Sequence, residues 1–549
     1  MRLINCITYE LEEFIGSNIP NYAILSHTWG PEEVLFSDLP LRQPSTIAKA
    51  GYQKIEFTCG QAVQDGLAYA WVDTCCIDKT SSAELSEAIN SMFYWYSNSA
   101  KCYAFLEDVL AGDVKGTLSK SRWFTRGWTL QELIAPTTVF FYDRSWRVFG
   151  DRQTLAQVIS AITRIDLAVL RYGLVNRRNG YVASYAVSLN TLCIARKMSW
   201  ASNRITSRQE DVAYCLLGLF DINMPLLYGE GKRAFARLQE EIIRRSDNDD
   251  SILAWDLNSE ATLFSSYQIR PGLEELQTES QELLATSPKA FENCNDLTSP
   301  HASDVSFSLT NTGINLRTPT VYIQVPQSIS TYGYCLIGLL NCSAGVAMRS
   351  HMLGIILHPL QRDDDQQSLR SVYRGAALSA HGRKVSRTVF VSIRDAIKRT
   401  EKSVTIVRLE MKLGSFNESY VINNSNHFIE KLGWCLADVT GWSQTHTAEY
   451  VPRGPKNWDP TTMTYTRSVI EGPLDMLSLE FSGEDGPSPS SYTLDIKVET
   501  QSPRPEARSE AIFECKDGSH VQLTVNWVDE GMIHQWRVFS INIGIVAVF

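Results

Sequence analysis

Four short apolar runs punctuate the first 150 residues, and the spacing between them restricts the chain to a small set of folds. Tyr22–Leu25 (YAIL), Ala68–Asp73 (AYAWVD), Cys102–Leu106 (CYAFL) and Thr138–Asp143 (TVFFYD) each read as a buried strand. Between the first two, Ile47, Tyr52, Ile55, Cys59 and Val63 recur at helical steps, and Gly66 stands where a C-cap glycine belongs. Ser81-Ser82-Ala83-Glu84 has capping-box spacing and opens a second helix with Leu85, Ile89, Met92 and Tyr96 on one face. A third helical stretch, FTRGWTLQELIA, stops before Pro136. Strands alternating with helices predict an α/β unit, a mainly parallel sheet flanked by helices. Such sheets take ligands beyond the carboxyl ends of their strands. The polar stretches Ser26–Gly30 and Asp73–Asp78 fall at those ends.

At 549 residues the chain is too long for one core. The α/β unit is assigned to residues 1–150 and a helical extension to 151–255, where SRQEDVAYCLLGLF and AFARLQEEIIRR read as amphipathic. The polar run SDNDDS suggests a boundary. From about 260 to 549 the texture is that of strands (YCLIGLL, LGIILHPL, TVFVSI, VTIVRLEM, YTLDIKV, VQLTVNW) with loops at SGEDGPSPSS and TQSPRPEARSE, which predicts a sandwich- or barrel-like β-rich domain.

Composition removes several function classes. A net charge of -10 argues against a nucleic-acid partner. Apolar runs fall short of a bilayer span, and the amino terminus carries acids where a signal peptide needs an apolar stretch, so a cytoplasmic protein without a membrane span is expected. Twelve cysteines include no C-x-x-C pair, which argues against a zinc site. His27 is the one histidine before residue 301, so no two-histidine metal site fits that half, and acyl-transfer chemistry there must use His27. No G-x-G-x-x-G or Walker-type loop is present.

Four blocks, YAILSHTWG, AWVDTCCIDK, SRWFTRGWTLQELIAP and YGEGKRAFARLQ, resemble in order the fungal heterokaryon-incompatibility (HET) domain family. That family is implicated in non-self recognition ending in programmed cell death of fused fungal cells. More distantly, the order of strands and helices is similar to a Toll/interleukin-1 receptor (TIR) domain. Some TIR domains hydrolyse NAD with a glutamate that follows a tryptophan on the third helix. Carried over, this resemblance implies Glu132 as the catalytic carboxylate, four residues after Trp128. Ser26, His27, Trp29, Gly30, Asp73 and Trp128 would then line the nucleotide site, with NAD as substrate, no prosthetic group and no metal. On their own terms, Trp128 and Glu132 at i and i+4 share a helix face, where an indole can stack a base or desolvate the carboxylate. Gly30 permits close backbone approach.

Plainer readings stand beside these. Glu132 also fits a solvated helix position, or an ion pair with Arg126. Trp29 and Trp128 also fit a core, Asp73 a turn cap, Ser26 a loop hydrogen bond and His27 a part-exposed loop. The functional alternatives are a non-enzymatic module acting by self-association or by binding another protein, and a hydrolase pairing Cys75 or Cys76 with His27.

Overall fold

The computed structural model of the chain describes residues 1–257 except 17, 40–42, 111–112, 176–185 and 246–248. It also describes 284–299 and separate, mostly strand, segments up to Val548. The chain forms two compact units. The first comprises Met1–Trp255, Leu284–Asn295 and Ser308–Ile314; the second comprises the intervening stretches and Asn315–Phe549.

The first unit begins with strands β1 (Arg2–Asn5), β2 (Leu11–Glu13) and β3 (Tyr22–His27), then helices α1 (Pro44–Ile47) and α2 (Tyr52–Gln64). Strand β4 (Tyr69–Trp71), helix α3 (Ser82–Asn98) and strand β5 (Lys101–Phe105) follow. Next come α4 (Val114–Leu118), a 3-10 turn at Arg122–Thr125, α5 (Thr129–Ile134), β6 (Val139–Tyr142) and β7 (Val148–Asp151). The sheet order is β2-β1-β4-β3-β5-β6-β7. The four strands expected from sequence sit side by side and pair in parallel.

The sheet as a whole is mixed rather than mainly parallel, because β1, β2 and β7 flank that centre in antiparallel pairings. Short links force this: five residues can turn β1 into β2, or β6 into β7, only as hairpins.

Strand alternation places helices on both faces. On one face the Tyr22 hydroxyl donates to the Trp95 carbonyl at 2.5 Å, Trp71 packs edge-on against Trp95 and Tyr96, and Phe141 meets Trp123 at 5.6 Å. On the other, Tyr103 donates to Asp65 just past α2, and Tyr142 packs on Phe57 at 5.0 Å. Helix ends follow the sequence signals. Gly66 takes φ +77 and closes α2, with its amide on Val63 and the Leu67 amide on Ala62. Ser81 accepts the Glu84 amide at the start of α3. The third helical stretch is not continuous. It is a 3-10 turn, a break at Gly127 and a short α5.

The extension adds α6 (Ala156–Thr163), α7 (Leu167–Tyr172), α8 (Ile194–Ser199), α9 (Asp211–Tyr214) and α10 (Arg233–Arg245). SRQEDVAYCLLGLF is broken after Tyr214 and resumes as a 3-10 turn at Leu217–Phe220. Residues 284–295 pack back onto this extension. Gln239 and Ala285 exchange two hydrogen bonds of 2.8 and 3.0 Å, and Phe291 and Cys294 are fully buried.

The second unit consists of largely antiparallel sheets. One is built around Tyr334–Leu339, His351–Pro359 and Tyr373–Ala380, another around His520–Ile533 and Trp536–Val548, and a third around Trp434–Gln444 and Met476–Gly483. Asn417–Asn423 pairs in parallel with Trp536–Val548. The expected strand VTIVRLEM and most of the loops SGEDGPSPSS and TQSPRPEARSE lie outside the described residues. No helix among the described residues is long and apolar enough to cross a membrane.

Candidate active site

The first parallel strand, β3, has β4 on one side and β5 on the other, so the chain direction across the sheet reverses between β3 and β5. Doubly wound sheets bind ligands beyond the strand ends at such a reversal. Ser26, opposite Ala104 in the register, sits there and is fully buried.

The Ser26 hydroxyl donates to Glu132 Oε2 and accepts the Trp123 indole N–H at 2.9 Å. Glu132 is 7% exposed. Tyr96 from α3 also bonds this carboxyl, and its hydroxyl lies 3.0 Å from the Leu25 carbonyl. Burial raises the Glu132 carboxyl to about 8; the Asp73 charge adds to the rise, while the Ser26 and Tyr96 hydrogen bonds and the Arg204 charge oppose it. A side chain that charge alone would put at the surface is thus held in the interior by hydroxyl groups from two elements.

The helix that carries it is fastened at both ends. Arg152, itself buried, donates to the carbonyls of Leu133, Ile134, Pro136 and Thr137, groups that a helix end leaves unpaired. Arg204 Nη1 donates at 2.8 Å to both the Arg126 carbonyl and the Thr129 hydroxyl. Burial lowers both guanidinium groups to about 10. Gly127 packs under this junction: a Cβ there would stand 2.5 Å from Thr206 Cγ2.

Beside this centre, the β3 and β4 loops build a second cluster. Trp29, 44% exposed, donates its indole N–H to Asp73 at 2.9 Å, and the Lys79 ammonium lies 3.6 Å over its ring. Burial pushes Lys79 down. His27 points to the opposite face from Ser26, between Glu33 at 3.6 Å and Asp73 at 3.9 Å. The Gly30 amide donates to Glu33 at 2.7 Å, and Lys54 closes a buried ion pair with the same carboxylate. Burial opposes ionisation of Glu33, but His27, the Gly30 amide and Lys54 together hold it at about 2.

Ser26 and Glu132 therefore meet directly; Trp29, Asp73, His27 and Gly30 form the adjoining cluster, linked to Glu132 through the Asp73 charge. Trp128 stands apart. Its indole N–H reaches Asp211 at 3.4 Å, whose other oxygen accepts from Tyr228 at 3.0 Å. Arg126 bonds Ser207 rather than pairing with Glu132. The indole on Ser26 is Trp123. Helical spacing picks Trp128 because it assumes one helix through 124–135. Gly127, a breaker, and Ser121, which caps the 3-10 turn by accepting the Trp123 amide, are the local signals of the break. The sequence pattern places Tyr96 on the apolar face of α3 but gives no sign that it meets Glu132, and it does not single out Arg152 or Arg204. The Cys75 thiol is buried against the Val72 carbonyl; its hydrogen bond with Cys76 and its burial push it well above the ordinary range, which disables it as a nucleophile.

Comparison with known proteins agrees with the amino-terminal blocks. Residues 22–115 match the heterokaryon incompatibility protein (HET) family, and residues 233–352 match a domain of unknown function, DUF8212. Over 248 residues, 44% of the chain, it is 47% identical to Vegetative incompatibility protein HET-E-1 of Podospora anserina; the match spans 17% of that protein's length. No solved structure matches the chain. On the family match and this relative, residues 22–115 of the chain form a HET-family domain.

Proposed function

We propose that the chain is an effector of fungal heterokaryon incompatibility and that its α/β unit, a TIR-like domain, triggers cell death by hydrolysing NAD at Glu132. The incompatibility role is supported by the name of the Podospora relative. The observation that carries the chemistry is a buried carboxyl bonded to Ser26 at the reversal point of the sheet. The parallel strand order β4-β3-β5-β6 supports the TIR comparison.

The free site holds Glu132 largely protonated at neutral pH. The cationic nicotinamide ring supplies the missing positive charge, and the carboxyl releases its proton to solvent as the ring enters. The ribose–nitrogen bond then breaks, its electron pair going to nicotinamide, which leaves neutral. The Glu132 carboxylate stabilises the positive ribose centre, Ser26 and Trp123 fix its orientation, and burial excludes competing water dipoles. Water adds to the ribose carbon and gives up a proton, so the products are ADP-ribose, nicotinamide and one proton. Trp29, exposed and held by Asp73, offers a ring face to a base.

The test is nicotinamide release from NAD by the purified full chain at high concentration. Wild type should turn over, and Glu132→Gln should lose about 10²–10³ of that rate or more. In the wild type, kcat/KM should rise with pH up to about 8, as the free carboxyl ionises. Equal release by both proteins moves the catalytic group elsewhere. No release by wild type, with undiminished cell killing by the Gln variant, favours a module that acts by self-association or by binding another protein.

A further inference from the structure

Arg204 comes from the extension, outside both the four-strand core and the residues 22–115 that match the family. It nevertheless reaches into the frame of the candidate site. Its guanidinium bonds the last carbonyl before Gly127 and the first hydroxyl of α5, each at 2.8 Å, while its Nε lies 3.3 Å from the Trp200 carbonyl. The backbone follows the same path: the Ile205 amide donates to Thr125 at 2.6 Å, and the Gly127 amide donates to Ile205 at 3.0 Å. Arg126 bonds Ser207, and Trp128 bonds Asp211. Residues 200–211 thus hold the whole stretch that presents Trp123 and Glu132.

The bonds leave one guanidinium nitrogen, Nη2, buried and without a hydrogen-bond partner. No carboxylate pairs with Arg204 in a salt bridge among the described residues. A half-buried guanidinium with neutral partners and Nη2 out of solvent leaves its charge uncompensated locally, and its field acts toward the low-dielectric interior. Glu132 is the carboxyl within that field.

We infer that Arg204 is a positioning residue of the Glu132 site: the helical extension both orients α5 and supplies the positive charge against which Glu132 ionises, so the working unit is the core plus the extension. The groups facing Glu132 from each packed element are Ser26 on β3, Tyr96 on α3, Cys102 on β5, Asp73 after β4, and Arg204. Arg204 is the one cation among them. Removing its charge leaves burial and Asp73 opposed by the Ser26 and Tyr96 hydroxyl groups, with Arg152 against the carbonyls at the far end of α5, and the carboxyl holds its proton to higher pH.

The consequence for catalysis rests on the hydrolase reading, but the protonation state can be read without it. Infrared difference spectra of the full chain, wild type minus Glu132→Gln, isolate the protonated carboxyl band of Glu132, and its loss can be followed with pH. The wild-type midpoint is expected near 8. Arg204→Gln, which keeps hydrogen-bond donors without charge, should raise that midpoint by about one pH unit, a tenfold change in proton affinity. Arg204→Lys should restore most of it. If the Gln variant fails to fold, Arg204→Met in the same assay reads the same charge loss. An unchanged midpoint in the charge-removing variants overturns the inference. In the activity assay, Arg204→Gln should depress kcat/KM at neutral pH about tenfold and recover at high pH. A uniform loss at every pH indicates a structural role only and counts against the charge. If wild type releases no nicotinamide, the hydrolase reading fails while the infrared titration still decides this one.

Discussion

Glu132 and Glu33 are carboxyls shifted in opposite directions, and each makes a different demand on pH. Glu132 binds its proton more tightly folded than unfolded, so its contribution to stability is fully present below about 4.5 and is lost as pH rises through about 8. Glu132→Gln should therefore gain stability relative to wild type across that window, a trend measurable as diverging thermal midpoints between pH 5 and 9. Equal slopes would mean the carboxyl is not desolvated. Glu33 has the reverse sign. Its stabilisation is present above about 4.5 and lost as pH falls through about 2. Glu33→Gln leaves Lys54 buried without its counter-charge and should cost about 3 kcal/mol at neutral pH. In denaturant titrations followed by tryptophan fluorescence, that gap should narrow toward pH 2.

At the scale of elements, α5 is the part whose position matters most, and Gly127 sets how closely it is approached. Gly127→Ala places a methyl 2.5 Å from Thr206 Cγ2, so either the Thr206 side chain must turn or the backbone at the junction must shift. The expected loss is about 1–3 kcal/mol, together with weakened protection of the Gly127 and Ile205 amides in hydrogen exchange. Unaltered exchange at those amides would show that the junction yields without strain. Elements also differ in how far they could be read from sequence. The central strands were legible because each is a run of buried residues ending in polar ones, as Tyr22–His27 shows. Strand β2 was not: Leu11-Glu12-Glu13 has one apolar residue and owes its extension to its partner. The carboxylate of the site was reached by resemblance and its neighbour Ser26 by position at a strand end. The indole that bonds Ser26 is Trp123 rather than Trp128, because period 3.6 was carried through a glycine break.

For the whole molecule, the first unit reclaims residues 284–295 after the chain has left it. A cut after Trp255 would strip Gln239 of both bonds to Ala285 and expose the seats of Phe291 and Cys294. A fragment of residues 1–295 should therefore melt several degrees higher than one of 1–255, and calorimetry on the two would decide it. Identical melting would mean the returning segment adds nothing. Proteolysis of the full chain should cut within SGEDGPSPSS, whose composition is loop-like, and not at Asp250–Ser251 of SDNDDS, which are fully buried.

The bond between Ser26 and Glu132 joins residues 106 positions apart, and Arg204 joins Thr129 across a further 75. During synthesis the ribosome releases the serine long before its carboxyl partner, and the carboxyl before the arginine that braces its helix. A chain that has not yet reached Arg204 therefore carries Ser26 and Glu132 without the brace, and the cluster closes only when most of the first unit has emerged.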